Sequence, residues 1–387
     1  MVKRVLMYAQ GEGLGHLRRA RNIARAILER DPGCSVLILS DHRSAPFFEA
    51  VPGIDCIKLP LHRPMRRPDL VQSALNLEHE QMNSLRENVI LSAYRAFDPQ
   101  AVLVDFLPNG ARAELNLLLE EATRRTSPPR LYLGIRDILR SPEETSEIWS
   151  YHGAYDYLSY YHAALVYGSP ALFDTDAAYS LSSYVKQVIY CNFVAPSEES
   201  PAPAPALAEE PILLVMGGSG QDSVAMQTAL VRALPVIQEN IPLPIVLLTG
   251  PGMLPEDRQT VVEQAQSASK PVQILGSVRD ATRLIEKAEL IVSLGGYNSL
   301  CEVVQLQKKA LIVPYARSSE QRMRAQIFQD LGMLRLLFLE DLTPERLAEE
   351  LISLYRADDI PNPAHLPPFD GAQRAAAVIL GEEQAPN

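Results

Sequence analysis

The 387-residue chain predicts an α/β protein of two Rossmann-like, doubly wound domains facing each other across a cleft. Three observations carry that expectation. Short apolar runs alternate with amphipathic helical patterns along the whole length, as in parallel sheets covered by helices. The runs are apolar on both faces, as strands buried between two helix layers must be. A Pro/Ala-rich acidic stretch, Pro196 to Pro211 (PSEESPAPAPALAEEP), divides the chain into two halves of like pattern. The expected organisation is a first domain over 1–195, a linker over 196–211, a second domain over 212–370, and a C-terminal helix and tail over 371–387.

In the first half the expected strands are KRVLMYA (3–9), SVLILS (35–40), AVLVDF (101–106), RLYLGI (130–135), AALVYG (163–168) and QVIYCN (187–192). The segment HLRRARNIARAILERD (16–31) between the first two spaces its apolar residues at helical period. Tyr151, Tyr155, Tyr157, Tyr160, Tyr161 and Tyr167, with His152 and His162, form an aromatic stretch read as helix packing beneath the sheet. In the second half the strands are ILLVMG (212–217), PIVLLTG (244–250), VQILGS (272–277), LIVSLG (290–295) and ALIVP (310–314). GAQRAAAVILGEE (371–383) reads as a last helix.

Composition narrows the function. With 47% hydrophobic and 21% charged residues the chain is an ordinary globular protein. No apolar run approaches the roughly 18 residues of a membrane span, and no signal peptide opens the sequence. The net charge of −11 argues against general nucleic-acid binding. Cys34, Cys56, Cys191 and Cys301 have neither a C-x-x-C pair nor metal-like spacing, which fits reduced thiols in the cytoplasm. A local basic cluster, His62, Arg63, Arg66 and Arg67, reads as a solvated loop, although a peripheral membrane contact or an anionic acceptor stays open there.

Three Gly-rich turns carry the chemistry. Gly11, Glu12, Gly13, Leu14, Gly15 and His16 link the first strand to the first helix. The dinucleotide fingerprint G-x-G-x-x-G would need Gly where His16 stands. A neutral imidazole near a helix N-terminus can take a proton. Glu12, and Asp105 at the end of AVLVD, are rival bases. Gly217, Gly218, Ser219 and Gly220 end the first strand of the second half, where N–H groups and a hydroxyl could hold a diphosphate without a metal. No Gly-Lys-Ser/Thr follows, so this is not a P-loop. Gly295, Gly296, Tyr297, Asn298 and Ser299 open a helix with Glu302 expected in its first turn, and a polar loop carrying Glu320 and Gln321 follows the next strand. Glycines at a helix N-terminus suit a phosphate, and a nearby carboxylate can accept hydrogen bonds from a ribose diol.

Together these residues resemble the GT-B nucleotide-sugar glycosyltransferases, most closely the MurG-like group with the family 28 type of C-terminal domain. The match is in order and spacing through the second half, and mainly in the first loop of the first half. Glu12 and Leu14 stand where the group has glycines. The resemblance implies that Gly217, Gly218, Ser219 and Gly220 contact the donor diphosphate and that Glu302 binds the ribose. It further implies that Glu320 and Gln321 contact the sugar and that the backbone at Val278 meets the uracil ring.

The activity expected is a metal-independent, inverting transfer of a sugar from a UDP-linked donor such as UDP-GlcNAc. The acceptor is a small-molecule or lipid-linked hydroxyl bound on the first-domain side. The nucleotide sugar is a substrate, and no cofactor is expected. A UDP-sugar 2-epimerase and a non-catalytic nucleotide-sugar-binding protein are the alternatives on the same scaffold.

Overall fold

The computed structural model describes residues 2–11, 14–42, 45, 51–61, 75–195, 210–266, 268–276, 278, 281–358, 361–362, 364 and 366–382. Glu12, Gly13 and the basic cluster at 62–67 lie outside the described residues. The chain divides into two units, Met1–Ala195 with Pro367–Asn387, and Pro196–Leu366.

The first unit runs β1 (Arg4–Ala9), α1 (Leu14–Arg30), β2 (Ser35–Ser40), β3 (Ile54–Lys58), α2 (His79–Phe97), β4 (Ala101–Asp105), α3 (Asn116–Arg124), β5 (Arg130–Arg136), α4 (Pro142–Tyr151), α5 (Tyr155–Leu158), β6 (Ala163–Tyr167), α6 (Thr175–Tyr179) and β7 (Val188–Tyr190). Its seven strands are ordered β3-β2-β1-β4-β5-β6-β7, and every pair is parallel. Helix α1 buries Leu17, Ala20, Ile23, Ala24 and Ile27, a stripe at three- and four-residue spacing. Helix α4 starts on a capping box, with Glu144 N–H donating to Ser141 Oγ and Pro142 at the first helical position. Strands β4 and β6 are buried at every residue.

The second unit runs β8 (Ile212–Met216), α7 (Val224–Asn240), β9 (Ile245–Leu248), α8 (Pro255–Ala265), β10 (Val272–Leu275), α9 (Thr282–Lys287), β11 (Ala288–Ser293), α10 (Tyr297–Gln305), β12 (Lys309–Ile312), α11 (Ser319–Asp330), β13 (Arg335–Leu336) and α12 (Pro344–Arg356). Its sheet is β10-β9-β8-β11-β12-β13, again parallel throughout.

Two strands escape the apolar-run criterion. β3 (IDCIK) is only half-buried, and β13 is two residues long; both are sheet edges, where a strand needs fewer apolar residues. The C-terminal segment is not a free tail. Helix α13 (Gly371–Leu380) packs against α1 in the first unit, burying Ala372, Ala375, Ala376 and Ile379. Gly371 N–H donates to Phe193 O at 3.0 Å, Asn192 Nδ2 to Asp370 Oδ1 at 2.8 Å, and Tyr132 Oη to Val378 O at 3.2 Å. The aromatic stretch splits: Tyr161 and Tyr167 are fully buried, while Tyr151 is 78% exposed.

Candidate functional site

Each sheet reverses its strand order once, between β1 and β4 in the first unit and between β8 and β11 in the second. Connections leave such a point in opposite directions, so a crevice opens at the strand C-termini, where open α/β sheets bind ligands. The three Gly-rich turns follow β1, β8 and β11, and Asp105 ends β4. The Gly-rich turns and Asp105 therefore gather at two switch points, while Val278 follows β10 and Glu320 and Gln321 follow β12.

In the first unit the turn after β1 passes so close to β2 that any side chain on Gly11 would collide with the Asp41 carboxylate. Helix α1 then places His16 in its first turn, three residues ahead of Arg19 and on the same face. His16 Nδ1 is hydrogen-bonded to Asp105 Oδ2. Arg19 grips the same carboxylate, its Nη2 donating to Oδ1 at 2.7 Å and to Oδ2 at 2.9 Å, and its Nε to Oδ1 at 3.1 Å. Burial pushes the Asp105 carboxyl up, but Arg19 and then His16 outweigh it and hold it at about 2. Burial also pushes the His16 imidazole below its ordinary value; the Asp105 carboxylate opposes this, and the Arg19 and Arg136 charges reinforce it. His16 is thus a neutral base candidate with 12% of its side chain exposed. Asp105 is not a separate base beside it: the two form one pair, and its carboxylate is spoken for.

The residue after Asp105 is unusual. Phe106 has φ +78°, a left-handed conformation that a bulky side chain adopts rarely and that concentrates at functional sites. The turn sets its ring edge-on to His16, with centroids 5.6 Å apart, while the Arg136 guanidinium lies 5.2 Å over its centroid.

Beneath the loop sits a second buried ion network. Arg86 of α2 donates to Asp41 Oδ2 at 2.9 Å, Pro60 O at 2.6 Å and Glu114 Oε1 at 2.6 Å, and Tyr8 Oη donates to that same Glu114 oxygen at 2.7 Å. It ties the ends of β1, β2 and β3 to α2 and to the loop after β4.

In the second unit the turns after β8 and β9 interlock. Gly217 N–H donates to Leu248 O at 2.9 Å, and Gly252 N–H to Ser219 O at 2.7 Å. Gly220 (φ +106°) and Gly250 pack backbone on backbone, so a Cβ on either would strike the other chain. Gln227 of α7 fills the space beneath Gly217, with Nε2 donating to Ser223 Oγ at 2.8 Å. Gly218 and Ser219 remain exposed.

After β11, Gly295 turns with φ +75°, where a side chain would run into Ile312. Gly296 caps α10 with φ −59° and ψ 149°, and nothing lies within 4 Å of where its Cβ would stand. Neither conformation nor packing calls for glycine at that position. The N–H groups of Tyr297, Asn298 and Ser299 open the helix and have no acceptor within it.

Glu302 departs from the expected first turn. It is the sixth residue of α10, in its second turn, and only 2% exposed. Glu320 and Gln321 lie not in a loop but in the first turn of α11, capped by Ser318 Oγ accepting from Gln321 N–H at 3.3 Å. Glu320 is paired with the buried Arg324 at 2.7 Å, and Arg324 lies 5.1 Å over the Tyr297 ring at the start of α10. Gln321 Oε1 accepts from Tyr315 N–H at 3.0 Å, which leaves its amide NH2 as what it can offer a ligand. Val278 is half-buried just beyond β10. Arg19, Arg324, Phe106 and the Thr249-Gly250-Pro251-Gly252 turn were not among the sequence candidates. Arg19 and Arg324 carried a legible signal, helical spacing of three from His16 and four from Glu320.

Among the described residues no helix is long and apolar enough to cross a membrane. Residues 212–365 match the glycosyltransferase family 28 C-terminal domain. A UDP-N-acetylglucosamine--N-acetylmuramyl-(pentapeptide) pyrophosphoryl-undecaprenol N-acetylglucosamine transferase of Pelobacter propionicus is 32% identical over 145 residues, 37% of each chain. The transferase of the same name from Synechococcus elongatus is 32% identical over 182 residues, 46% of this chain and 48% of its own. The chain thus spans less than half the length of these relatives. Among solved structures, a putative UDP-N-acetylglucosamine 2-epimerase from Listeria monocytogenes superposes with a TM-score of 0.64 at 15% identity, covering 100% of this chain and 99% of its own. The calicheamicin glycosyltransferase CalG4 gives 0.58 at 15% identity over 99% and 95%. Acinetobacter baumannii MurG gives 0.51 at 16% identity over 97% and 94%. The chain has the two-sheet fold of the GT-B glycosyltransferases, and its residues 212–365 match the family 28 C-terminal domain.

Proposed function

We propose that the protein transfers a sugar from a nucleotide-sugar donor to an acceptor hydroxyl, with His16 as the base. The observation that carries this reading is the His16–Asp105 pair at the first switch point. A neutral imidazole bonded through Nδ1 keeps Nε2 as a proton acceptor. In the reaction the acceptor hydroxyl proton passes to Nε2, and its oxygen attacks the anomeric carbon. The bond from that carbon to the diphosphate breaks with its electron pair, which inverts the centre.

The donor reading rests on the second unit. The N–H groups of Gly218 and Ser219, and those of Tyr297 to Ser299 at the start of α10, suit the departing diphosphate without a metal. Donors aimed at developing charge are worth roughly 3–4 kcal/mol apiece in such sites. Glu302 is assigned to the ribose, Val278 to the base, and Glu320 and Gln321 to the sugar, with Gln321 acting through its amide NH2. Relatives named for UDP-N-acetylglucosamine and an undecaprenol-linked acceptor support a UDP-sugar donor. For this chain the acceptor is taken as lipid-linked or small. The free thiols of Cys34, Cys56, Cys191 and Cys301 accord with a cytoplasmic location.

The epimerase alternative needs acid and base groups on both faces of the sugar. Asp105, gripped by Arg19, is poorly suited to supply the second. A thermal-shift panel of UDP-, dTDP- and GDP-sugars followed by a UDP-release assay tests the reading. Stabilisation should grow with ligand concentration over Kd and be largest for one UDP-sugar. No stabilisation by any nucleotide sugar would sink it, and epimer formation without an acceptor would replace it.

A further inference from the structure

We propose that Arg19 is a positioning residue: by holding Asp105 as a carboxylate it fixes the Nδ1–H tautomer of His16 and keeps Nε2 unprotonated for the acceptor. This rests on His16 being the base of the proposed transfer. The argument begins with a conflict over one atom. His16 Nδ1 lies within hydrogen-bond reach of both Asp105 Oδ2 and, at 3.1 Å, Arg19 Nη2. It can donate to the first or accept from the second, but not both.

The geometry resolves the conflict. Arg19 Nη2 lies 2.7 and 2.9 Å from the two oxygens of Asp105, nearer than its 3.1 Å to Nδ1, so the carboxylate is its preferred acceptor. The carboxylate so held is ionised and can only accept. The proton between Nδ1 and Oδ2 therefore belongs to Nδ1, and the lone pair of the neutral ring is on Nε2.

Burial and charge decide the protonation state. Among the described residues, the charges facing His16 are Asp105 at the end of β4, Arg19 on α1 and Arg136 at the end of β5, with the uncharged Phe106 ring at its edge. A carboxylate alone beside a buried imidazole would favour imidazolium, which has no lone pair to accept a proton. Burial does most to keep the ring neutral, and the Arg19 charge, ahead of Arg136, adds to it by offsetting that carboxylate.

The surroundings are built to hold Arg19 in place. It is 2% exposed, and its guanidinium lies 5.5 Å over the ring of the fully buried Tyr167. Tyr167 in turn occupies the space left by Gly134, the residue opposite Asp105 in β5; any side chain there would strike the Tyr167 hydroxyl. A fork on the carboxylate and a ring beneath it fix one orientation of the guanidinium.

The test compares the full-length protein with Arg19→Met and Arg19→Lys. Long-range 1H–15N spectra, assigned by comparison with His16→Gln, report the tautomer and titration of His16. The wild type should show Nδ1–H in its neutral form and titrate below 6.5. Arg19→Met should move the midpoint to higher pH, and Arg19→Lys, which keeps the charge without the fork, should move it part of the way. Nε2–H in the wild type, or an unmoved midpoint in both variants, overturns the proposal. Should Arg19→Met fail to fold, the wild-type tautomer and the Arg19→Lys shift decide.

In turnover, Arg19→Met should lose at least tenfold in kcat at pH 6.5 and recover most of it by pH 8.5, with donor KM unchanged. An equal loss at every pH, as from mere misfolding of the loop, also overturns it. Wild-type protein that shows the tautomer and shifts but releases no UDP from any nucleotide sugar refutes the transfer reading and leaves the Arg19 assignment standing.

Discussion

At the residue scale the proposed transfer turns on one imidazole whose surroundings keep it neutral. His16→Ala should lower kcat by about 10²–10⁴, the usual worth of a positioned base, with donor affinity by calorimetry unchanged. Turnover near wild type would move the base elsewhere. The same shifts make a stability prediction. Folded His16 and Asp105 both bind protons less readily than their unfolded counterparts, so acid favours the unfolded chain. Stability should fall as pH drops below 6.5 through His16, and again between 3.8 and about 2 through Asp105. Urea midpoints at pH 7 and pH 5 should differ in the wild type more than in His16→Gln; an equal or reversed difference refutes this. Glu302→Ala should weaken UDP-sugar binding tenfold or more, since a hydrogen bond to a charged group contributes about 1.5–3 kcal/mol. Unchanged affinity would end the ribose assignment. His16 was read at a helix start and Asp105 at a strand end, but their pairing was not legible. They are 89 positions apart, and only the β1–β4 adjacency brings them together. Glu320 was read in a polar loop, so its pairing with Arg324 shows only once Ser318 is seen to start a helix there.

At the scale of elements, the glycine turns separate into those the fold needs and one it does not. Gly217→Ala puts a methyl against Gln227, Thr249 and Ser223, and should cost about 1–3 kcal/mol in the unfolding of the second unit. Gly296→Ala has open space and an ordinary φ, so stability should change by less than about 0.5 kcal/mol. Its methyl would nevertheless stand where the proposed diphosphate approaches α10, and UDP affinity should fall. Calorimetry beside a denaturant melt checks the contrast; a Gly296→Ala protein that binds UDP normally would remove the phosphate from that helix end. The central strands were readable because burial on both faces makes them continuous apolar runs. The edge strands β3 and β13 were not, since half-solvated strands carry no such pattern. The brace from the turn after β9 was invisible because it is backbone packing between two loops about 30 residues apart.

At the scale of the whole molecule, the linker and the last helix divide the chain unevenly. The Pro/Ala-rich stretch reads as a boundary on composition alone. That α13 belongs to the first unit was not legible, because GAQRAAAVIL announces a helix with an apolar face without naming its partner. Removing residues 367–387 should uncover the part of α1 that α13 packs on and lower the protection of the first unit in hydrogen exchange, while peptides from 212–356 keep theirs. Equal loss in both units would contradict the division. The return of α13 also has a meaning in time. During synthesis the first sheet emerges early, but its closing helix waits until Pro196–Leu366 has been made. At about 5–20 residues per second that interval is roughly ten to thirty seconds. Through it the face of α1 that α13 will cover stays open, so the nascent protein offers chaperones a docking face that the finished one has hidden.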